Sequence, residues 1–354
     1  MSNIYRLPWT SNLFGDTEIE TILTTRADIE RMLKVEAAWT RALGQSGAVD
    51  SHQAEQVAQI IERTTINYHA LQKAAAVDGV PVPALVEQLR GAVSDAQADS
   101  TLVHSGLTSQ DVIDTVLMLA LSRILPILEQ RLNKVLDEIQ AIRLRDGHRH
   151  MMAHTRMQPA LPFLTADRLD NWSRPLSALS AQSGSMIDQT TIIQWGGPIG
   201  VRDRKLPEQQ AEFFATALEL RDPGRPWQNN RGVLVDLAAY LSKISGALGK
   251  IGQDLALQAQ SRTDELALTK GGHSSAMPHK NNPILAELLV TLARYNAGHL
   301  AQMHGSLVHE QERSGTAWMM EWLVLPQMLV STGRSLLATQ QLLSSLGRLG
   351  LADT

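Results

Sequence analysis

Long stretches of this chain repeat apolar residues with the period of an α-helix, and this pattern most constrains the fold. Strand patterns that alternate and are joined by tight hairpin turns are missing, and aromatic residues make up only 4% of the chain. The pattern predicts an all-α fold built around a long central helical bundle. The five long helices are expected over 108–144, 162–189, 232–268, 283–304 and 319–346.

The first third of the chain carries shorter helical patterns, over 17–46, 51–64 and 84–97. We therefore expect a small N-terminal helical domain over 1–107, followed by a central five-helix bundle domain over 108–354. Several of the later helices are apolar on more than one face, which predicts that copies of the chain associate with each other.

Charge and composition exclude several classes of function. The formal net charge is −4, with 32 basic and 36 acidic residues and no basic run, so nucleic acid is not an expected partner. The absence of cysteine rules out disulfides, thiolate metal sites and cysteine nucleophiles. The N-terminal residues lack the order of a signal peptide, and the most apolar stretch, 116–128, is too short and too interrupted to cross a membrane. We expect a cytoplasmic protein.

One polar segment, T-K-G-G-H-S-S-A-M-P-H-K-N-N-P over 269–283, has no apolar period and is predicted to be a mobile loop between two helices. Ser274 or Ser275 alone is a weak base, but nearby N–H groups and Lys280 can stabilise its alkoxide. Such a serine can exchange a proton with a carbon next to a carboxylate, while Lys280 and Asn282 hold the extra negative charge. The alternative is an ordinary surface loop, where these residue types are common.

The segment resembles the signature loop of the fumarase/aspartase superfamily, G-S-S-x-M-P-x-K-x-N-P, with His273 at the first glycine position. The resemblance implies that Ser274 is the acid/base, that Lys280 and Asn282 bind the substrate carboxylate, and that Glu287 supports the loop or a catalytic partner. It also implies a homotetramer around a twenty-helix core, with three subunits contributing to each active site. The third, C-terminal domain common in the family is expected to be absent here.

Two further segments resemble signature regions of the same superfamily. The first, His104–Asp111, matches H-x-G-x-T-S-x-D. Hydroxyls at a helix N-terminus form a seat for a carboxylate, so Thr108 and Ser109 are predicted to bind substrate and His104 to act as a donating or charged partner. A capping box formed by Thr108 and Asp111 is the alternative reading.

The second segment, H-T-R-M-Q over 154–158, resembles the region that usually reads T-H-x-Q. Arg156 occupies the position of the histidine. Because arginine stays protonated, it cannot shuttle protons, but it can bind a carboxylate through two parallel hydrogen bonds. Gln158 is predicted to donate to a carboxylate as well. His154 is a candidate for titration in the site, with an ordinary surface or core histidine as the alternative.

Two more segments, Q-W-G-G-P-I-G over 194–200 and P-W-Q-N-N-R over 226–231, resemble the 3-carboxy-cis,cis-muconate cycloisomerase branch of the superfamily. By this resemblance Arg231 is a second carboxylate clamp. The alternative is that the glycines only form a turn and that Trp227 only packs. The hypothesis is a cofactor-free and metal-free intramolecular addition, in which one carboxylate of a polyanionic muconate attacks its own double bond. Two alternatives stay open: a lyase that releases fumarate, and a catalytically silent helical scaffold.

Overall fold

The computed structural model describes residues 8–260, 264–269, 271–273, 276–277 and 280–352. Over these residues the chain forms twelve α-helices and three two-stranded sheets, so the all-α prediction is confirmed. The helices are α1 (Ser11–Phe14), α2 (Thr17–Ile22), α3 (Thr25–Gln45), α4 (Ser51–Arg63), α5 (Tyr68–Asp78), α6 (Val82–Asp95), α7 (Ser109–Asp146), α8 (Thr165–Thr190), α9 (Gln210–Ala217), α10 (Gly232–Gln258), α11 (Ile284–Gly305) and α12 (Thr316–Ser344). The strands are β1 (His150–Thr155), β2 (Gln158–Leu164), β3 (Leu266–Leu268), β4 (Gly272–His273), β5 (Asn281–Asn282) and β6 (Leu346–Leu349).

The N-terminal helices differ from the sequence prediction in two ways: α1 and α5 form where no helix is predicted, and one predicted helix is broken in two. The apolar period runs without interruption over 17–46, but the structure divides it into α2 and α3. The Thr24 side chain accepts a hydrogen bond from the Ala27 N–H and so caps the start of α3. Because the Thr24 oxygen satisfies a free N–H group, α3 starts here, although periodicity alone predicts that α2 continues through this position.

Five long helices, α7, α8, α10, α11 and α12, pack side by side, with α10 in contact with three of the others. Helix α10 approaches α11 closely at Gly252, where a Cβ atom would lie 2.6 Å from the Ala286 carbonyl oxygen. By length and composition α10 could cross a membrane, but 56% of its apolar window is buried inside the fold. It is placed as the core helix of the bundle.

A β-hairpin projects between α7 and α8, and the prediction that tight hairpin turns are missing is wrong at this place. Strands β1 and β2 pair antiparallel, with Thr155 opposite Gln158. Arg156 and Met157 form the two-residue turn, with φ of 49° and 67°. The sequence gives no hairpin signal because β2 contains two prolines and the turn contains neither glycine nor asparagine.

Helix α7 is the longest helix in the described part of the chain. Its 38 residues span about 57 Å at 1.5 Å per residue. We call the end where α7 begins the Thr108 end, and the end where it leads into the hairpin the hairpin end. Helix α10 runs in the same direction as α7: Arg231, just before its start, contacts Asp114 near the start of α7, whereas Asp254, near its end, contacts Trp172 near the start of α8.

Candidate active site

The Thr108 end brings together three segments that the sequence analysis singled out. They are His104–Asp111, Gln194–Gly200 and Pro226–Arg231. Asp111 joins the first two, because its carboxylate accepts from the N–H groups of Thr108 (3.0 Å), Gly196 (2.8 Å) and Gly197 (3.0 Å). Burial raises the pKa of Asp111 to about 7, and these hydrogen bonds act in the opposite direction. Asp111 thereby fixes the loop of Gly196 and Gly197 against the N-terminus of α7.

Thr108 is in contact with an arginine that the sequence analysis missed. Nη2 of Arg313 donates to Thr108 Oγ1 at 2.8 Å and to the Pro198 carbonyl oxygen at 3.3 Å. Nε of Arg313 is buried and has no hydrogen-bond partner among the described residues. A guanidinium next to a hydroxyl at a helix N-terminus is a suitable seat for a carboxylate. The signal was available in the polar run that precedes α12, H-E-Q-E-R-S over 309–314.

His104 and Ser109 lie on either side of Thr108 in the chain, and both are half-buried. Nδ1 of His104 is 2.6 Å from Oε1 of Glu36, a residue of α3. The backbone of His104 is in the left-handed region, with φ of 61°. Ser109 is the first residue of α7, so its side chain is in the first turn, where free N–H groups are found.

Arg231 is placed differently from its predicted role. Its side chain is 0% exposed and contacts two buried carboxylates, with Nη1 2.6 Å from Asp114 Oδ2 and Nε 2.9 Å from Glu321 Oε1. Its guanidinium also lies 4.5 Å from the centre of the Trp227 ring. The expectation that Arg231 clamps a substrate carboxylate does not fit this structure, because carboxylates of the protein already occupy it. It supports the fold beneath the Thr108 end.

The buried charges around Arg231 were also missed in the sequence. Burial raises the pKa of Asp114, and the charge of Arg231 opposes that shift. The His309 ring lies 3.6 Å from Glu321, with its side chain 1% exposed. Asp114 and Glu321 lie on the buried faces of α7 and α12, where the helical period predicts apolar residues. An acidic residue at such a position was the sequence signal for a buried charge cluster.

At the hairpin end lie the three residues predicted from the H-T-R-M-Q segment. His154, Arg156 and Gln158 are all exposed in the single chain, and Arg156 is at the tip of the hairpin. Nδ1 of His154 is 3.0 Å from the Met152 carbonyl oxygen. The guanidinium of Arg156 is thus presented outward.

The signature loop is described only in part. Ser274 and Ser275 lie outside the described residues. Lys280 is exposed, Asn282 lies in β5 opposite Gly272, and Glu287 is exposed in the first turn of α11. The pairing of β4 with β5 brings the two sides of the loop together at the start of α11. A Cβ atom on Gly272 would lie 2.5 Å from Ile284, so this glycine permits the close approach.

The loop starts beside the hairpin. The Met152 N–H of β1 donates to Glu265 Oε1 at 2.6 Å, and the Thr269 N–H donates to the Ser345 carbonyl oxygen at 2.9 Å. Lys280 and Asn282 therefore belong to the hairpin end with Arg156. The predicted site residues form two sets, and in one chain the length of α7 separates them.

Comparison with known proteins gives a consistent family assignment. The model of a family described as Lyase matches residues 10–297. A curated 3-carboxy-cis,cis-muconate cycloisomerase of Acinetobacter baylyi is 29% identical over 359 residues, which cover 98% of this chain and 77% of that protein. A nitrosuccinate lyase of Streptomyces davaonensis is 28% identical, over 93% of this chain and 72% of that protein.

Among solved structures, the 3-carboxy-cis,cis-muconate lactonizing enzyme from Pseudomonas putida superposes with a TM-score of 0.86. The two chains are 28% identical, and the match covers 96% of this chain and 77% of that one. The fold and the order of the helices are therefore shared over nearly the whole of this chain.

Proposed function

This chain belongs to the Lyase family and has the fumarase/aspartase fold, and we propose that it is a cycloisomerase acting on 3-carboxy-cis,cis-muconate or a close acidic analogue such as a sulfomuconate. The proposal has support from the relatives of that name, which match most of the chain. Such a reaction belongs to the breakdown of aromatic compounds by the protocatechuate (β-ketoadipate) route. We also propose a cytoplasmic location, as the sequence analysis expects.

The proposed reaction is an isomerisation in which one carboxylate of the substrate attacks a carbon of its own double bond. A C–O bond forms, and the neighbouring carbon, which lies next to a second carboxylate, takes up a proton to complete the lactone. We assign the delivery of that proton to Ser274, with Ser275 beside it. Lys280 and Asn282 stabilise the doubly charged intermediate that precedes protonation. Glu287 supports the loop.

The observation that carries this proposal is Arg156 at the hairpin tip. A reaction that expels an amine or a hydroxyl needs a group that protonates the leaving group. A guanidinium cannot give up its proton at neutral pH, but it binds a carboxylate well. Where the attacking group is a carboxylate of the substrate itself, an arginine is sufficient. We therefore assign Arg156 and Gln158 to this carboxylate, with His154 close by.

The remaining negative groups of the substrate are assigned to the Thr108 end, where Thr108, Ser109, His104 and Arg313 supply donors and positive charge. Because the two sets of residues are at opposite ends of α7, we propose that each active site is shared between copies of the chain in a homotetramer. Large apolar side chains are exposed at both ends, which supports packing of copies there. They include Met157 (73%) and Leu161 (72%) at the hairpin end and Ile199 (62%) and Val308 (77%) at the Thr108 end.

The direct test is turnover of 3-carboxy-cis,cis-muconate by the purified protein. We expect the ultraviolet absorbance of the conjugated diene to disappear as the lactone forms. Ser274→Ala should reduce kcat by at least about a hundredfold, since it removes the acid/base group. Ser94→Ala, an exposed serine of α6, is the matched control and should leave kcat unchanged. Equal activity of the two variants would reject the role of Ser274.

A lyase that releases fumarate is the second candidate. The similarity to a nitrosuccinate lyase favours it, as does the presence of His154 two residues before Arg156. An unchanged diene absorbance, together with release of fumarate from adenylosuccinate, argininosuccinate or nitrosuccinate, would establish this function instead. A silent scaffold would turn over none of these substrates, and Ser274→Ala would then change nothing.

A further inference from the structure

Glu36 is a buried acidic residue that lies outside every motif discussed above. It is on α3 and is 0% exposed. Its Oε1 is 2.6 Å from Nδ1 of His104, while its Oε2 is buried and has no hydrogen-bond partner among the described residues. A buried carboxylate is unfavourable unless a partner compensates it, and the His104 ring is the partner that the geometry provides.

Helix α3 holds the segment of His104 at a second point. Trp39 is one turn after Glu36, and its Nε1–H donates to the Ser105 carbonyl oxygen at 2.7 Å. Between these anchors His104 adopts the left-handed backbone, with φ of 61°, which residues other than glycine rarely adopt. Such a conformation persists only where the surroundings determine it, and here two side chains of α3 do so.

The contact with Glu36 decides which nitrogen of the ring remains for a ligand. An ionised carboxylate only accepts hydrogen bonds, so Nδ1 of His104 carries the proton between them. Nε2 forms no hydrogen bond within the part of the chain that the structure describes. When the ring also carries a proton on Nε2, that N–H can donate to an anion. Four residues further on, Thr108 receives the hydrogen bond from Arg313.

We propose that Glu36 is a positioning residue of the Thr108 end, which holds the His104 ring in the orientation that presents Nε2 to an acidic group of the substrate. This inference rests on the proposed function, because it assigns the Thr108 end to substrate binding. Glu36 does not itself touch the substrate. Its effect is transmitted through His104.

The kinetic test compares Glu36→Gln, His104→Gln and the double variant with the wild-type enzyme on 3-carboxy-cis,cis-muconate. Glu36→Gln keeps the shape and an oxygen acceptor but removes the charge. We expect it to raise KM about tenfold and to leave kcat within about threefold, the effect of weakening one charge-assisted hydrogen bond to the substrate. In the His104→Gln background the same change should have no further effect on KM. The matched control is Glu30→Gln, because Glu30 is on the same helix and forms an exposed ion pair with Arg26.

A KM of Glu36→Gln equal to that of the wild type, or an equal rise in both backgrounds, would overturn the inference. Absence of turnover by the wild-type enzyme would instead count against the proposed function. Neutron diffraction from wild-type crystals needs neither turnover nor a folded variant. It should place the proton on Nδ1 of His104, between the ring and Glu36, and a bare Nδ1 would refute the inference.

Discussion

At the scale of single residues, the buried charges beneath the Thr108 end determine how the site is supported. Arg231 holds Asp114 and Glu321 together in the interior, and Trp318 adds a hydrogen bond from its Nε1–H to Asp114 at 3.0 Å. Two buried carboxylates share one guanidinium, so the arrangement depends on that single cation. Removing it leaves negative charge without a counter-charge in the core.

We therefore expect Arg231→Met to lower the free energy of unfolding by about 3–5 kcal/mol, the usual effect of breaking a buried ion pair. The measurement is urea unfolding at a fixed protein concentration. Arg26→Met is the matched control, because Arg26 and Glu30 form a pair whose side chains are 90% and 61% exposed. That control should change the value by less than about 1 kcal/mol. Equal midpoints for the two variants would show that Arg231 does not stabilise the core.

Residue types in a motif predict chemistry better than they predict accessibility. A capping box of Thr108 and Asp111 is the alternative interpretation of their run, and the Thr108 N–H indeed donates to the Asp111 carboxylate. Arg231 is predicted as a clamp because its segment, P-W-Q-N-N-R, resembles the cycloisomerase branch of the superfamily. Its partners, Asp114 and Glu321, are distant in sequence, and no local pattern shows that they meet it. Arg313 was missed because it lies between helices and outside the motifs considered.

At the scale of secondary-structure elements, close approach between helices depends on small residues. Gly252 of α10 faces α11, and a Cβ atom there would lie 2.6 Å from the Ala286 carbonyl oxygen and 2.8 Å from the Leu289 Cβ. A backbone oxygen cannot move aside without displacing its helix. A single methyl group added at this position would therefore force α10 and α11 apart.

Gly252→Ala should lower the free energy of unfolding by about 1–3 kcal/mol, as expected for overpacking of a core. Gly91 of α6 is the matched position, since nothing lies within 4 Å of the Cβ that would be added there. Gly91→Ala should stabilise by up to about 1 kcal/mol, because alanine is the better helix former. Denaturant unfolding of both variants tests this contrast, and a stabilised Gly252→Ala would contradict the close approach.

The end of α7 is tied to β6 by Asp146, whose carboxylate accepts from the Leu349 N–H at 3.0 Å. Burial acts to raise the pKa of Asp146, but hydrogen bonds from Arg145, Leu349 and Arg149 hold it below its ordinary value. Because the pKa of Asp146 is lower in the folded state, ionised Asp146 contributes its full stabilisation when the pH is above the unfolded-state pKa of about 3.9. That stabilisation is lost as the pH falls through the folded-state pKa.

Asp146→Asn should therefore be less stable than the wild type at pH 7, and the difference should shrink as the pH falls below about 4. Thermal unfolding of both proteins between pH 3 and pH 8 measures this difference. Because the amide of the Asp146→Asn variant has the same shape but cannot ionise, the difference between the two proteins at each pH reports the ionisation of Asp146. A difference that stays constant across the whole range would assign the loss to packing instead of charge.

The helices of the bundle were predictable because each has a strong apolar period: the expected 319–346 corresponds to α12, Thr316–Ser344. The hairpin was not predictable, because exposed strands that contain prolines show no alternation. Helix α10 was predicted ten residues too long, up to Leu268, since Leu266–Leu268 continue the apolar pattern as strand β3. Apolar residues at the end of a helix and in a following strand are indistinguishable by period alone.

At the scale of the whole molecule, the two sets of site residues lie far apart in one chain. Thr108 and Arg156 are adjacent in motif order but are separated by the full length of α7. The predicted helix of about 37 residues already implied this separation, which is far longer than any small substrate. If both sets act on one substrate, different copies of the chain must supply them.

Mixed oligomers test that arrangement. Arg313→Ala disables the Thr108 end, and Ser274→Ala disables the signature loop. Each variant alone should be nearly inactive. When the two are expressed together and assembled at random, about a quarter of the sites should combine two intact ends, and activity should rise to about that fraction of the wild-type value. Activity no greater than that of the separate variants would place the whole site in a single chain.

At the turn formed by Arg156 and Met157, the residues that best fit the backbone differ from those that the proposed reaction needs. A two-residue turn with positive φ at both positions is most easily made by asparagine and glycine, and larger side chains are disfavoured there. Replacing the pair by Asn-Gly should stabilise the hairpin while removing the guanidinium of Arg156 from its tip. Stability thus favours Asn-Gly at this turn, whereas the proposed reaction requires Arg156. A screen that selects for thermal stability alone would therefore tend to lose activity through this position first.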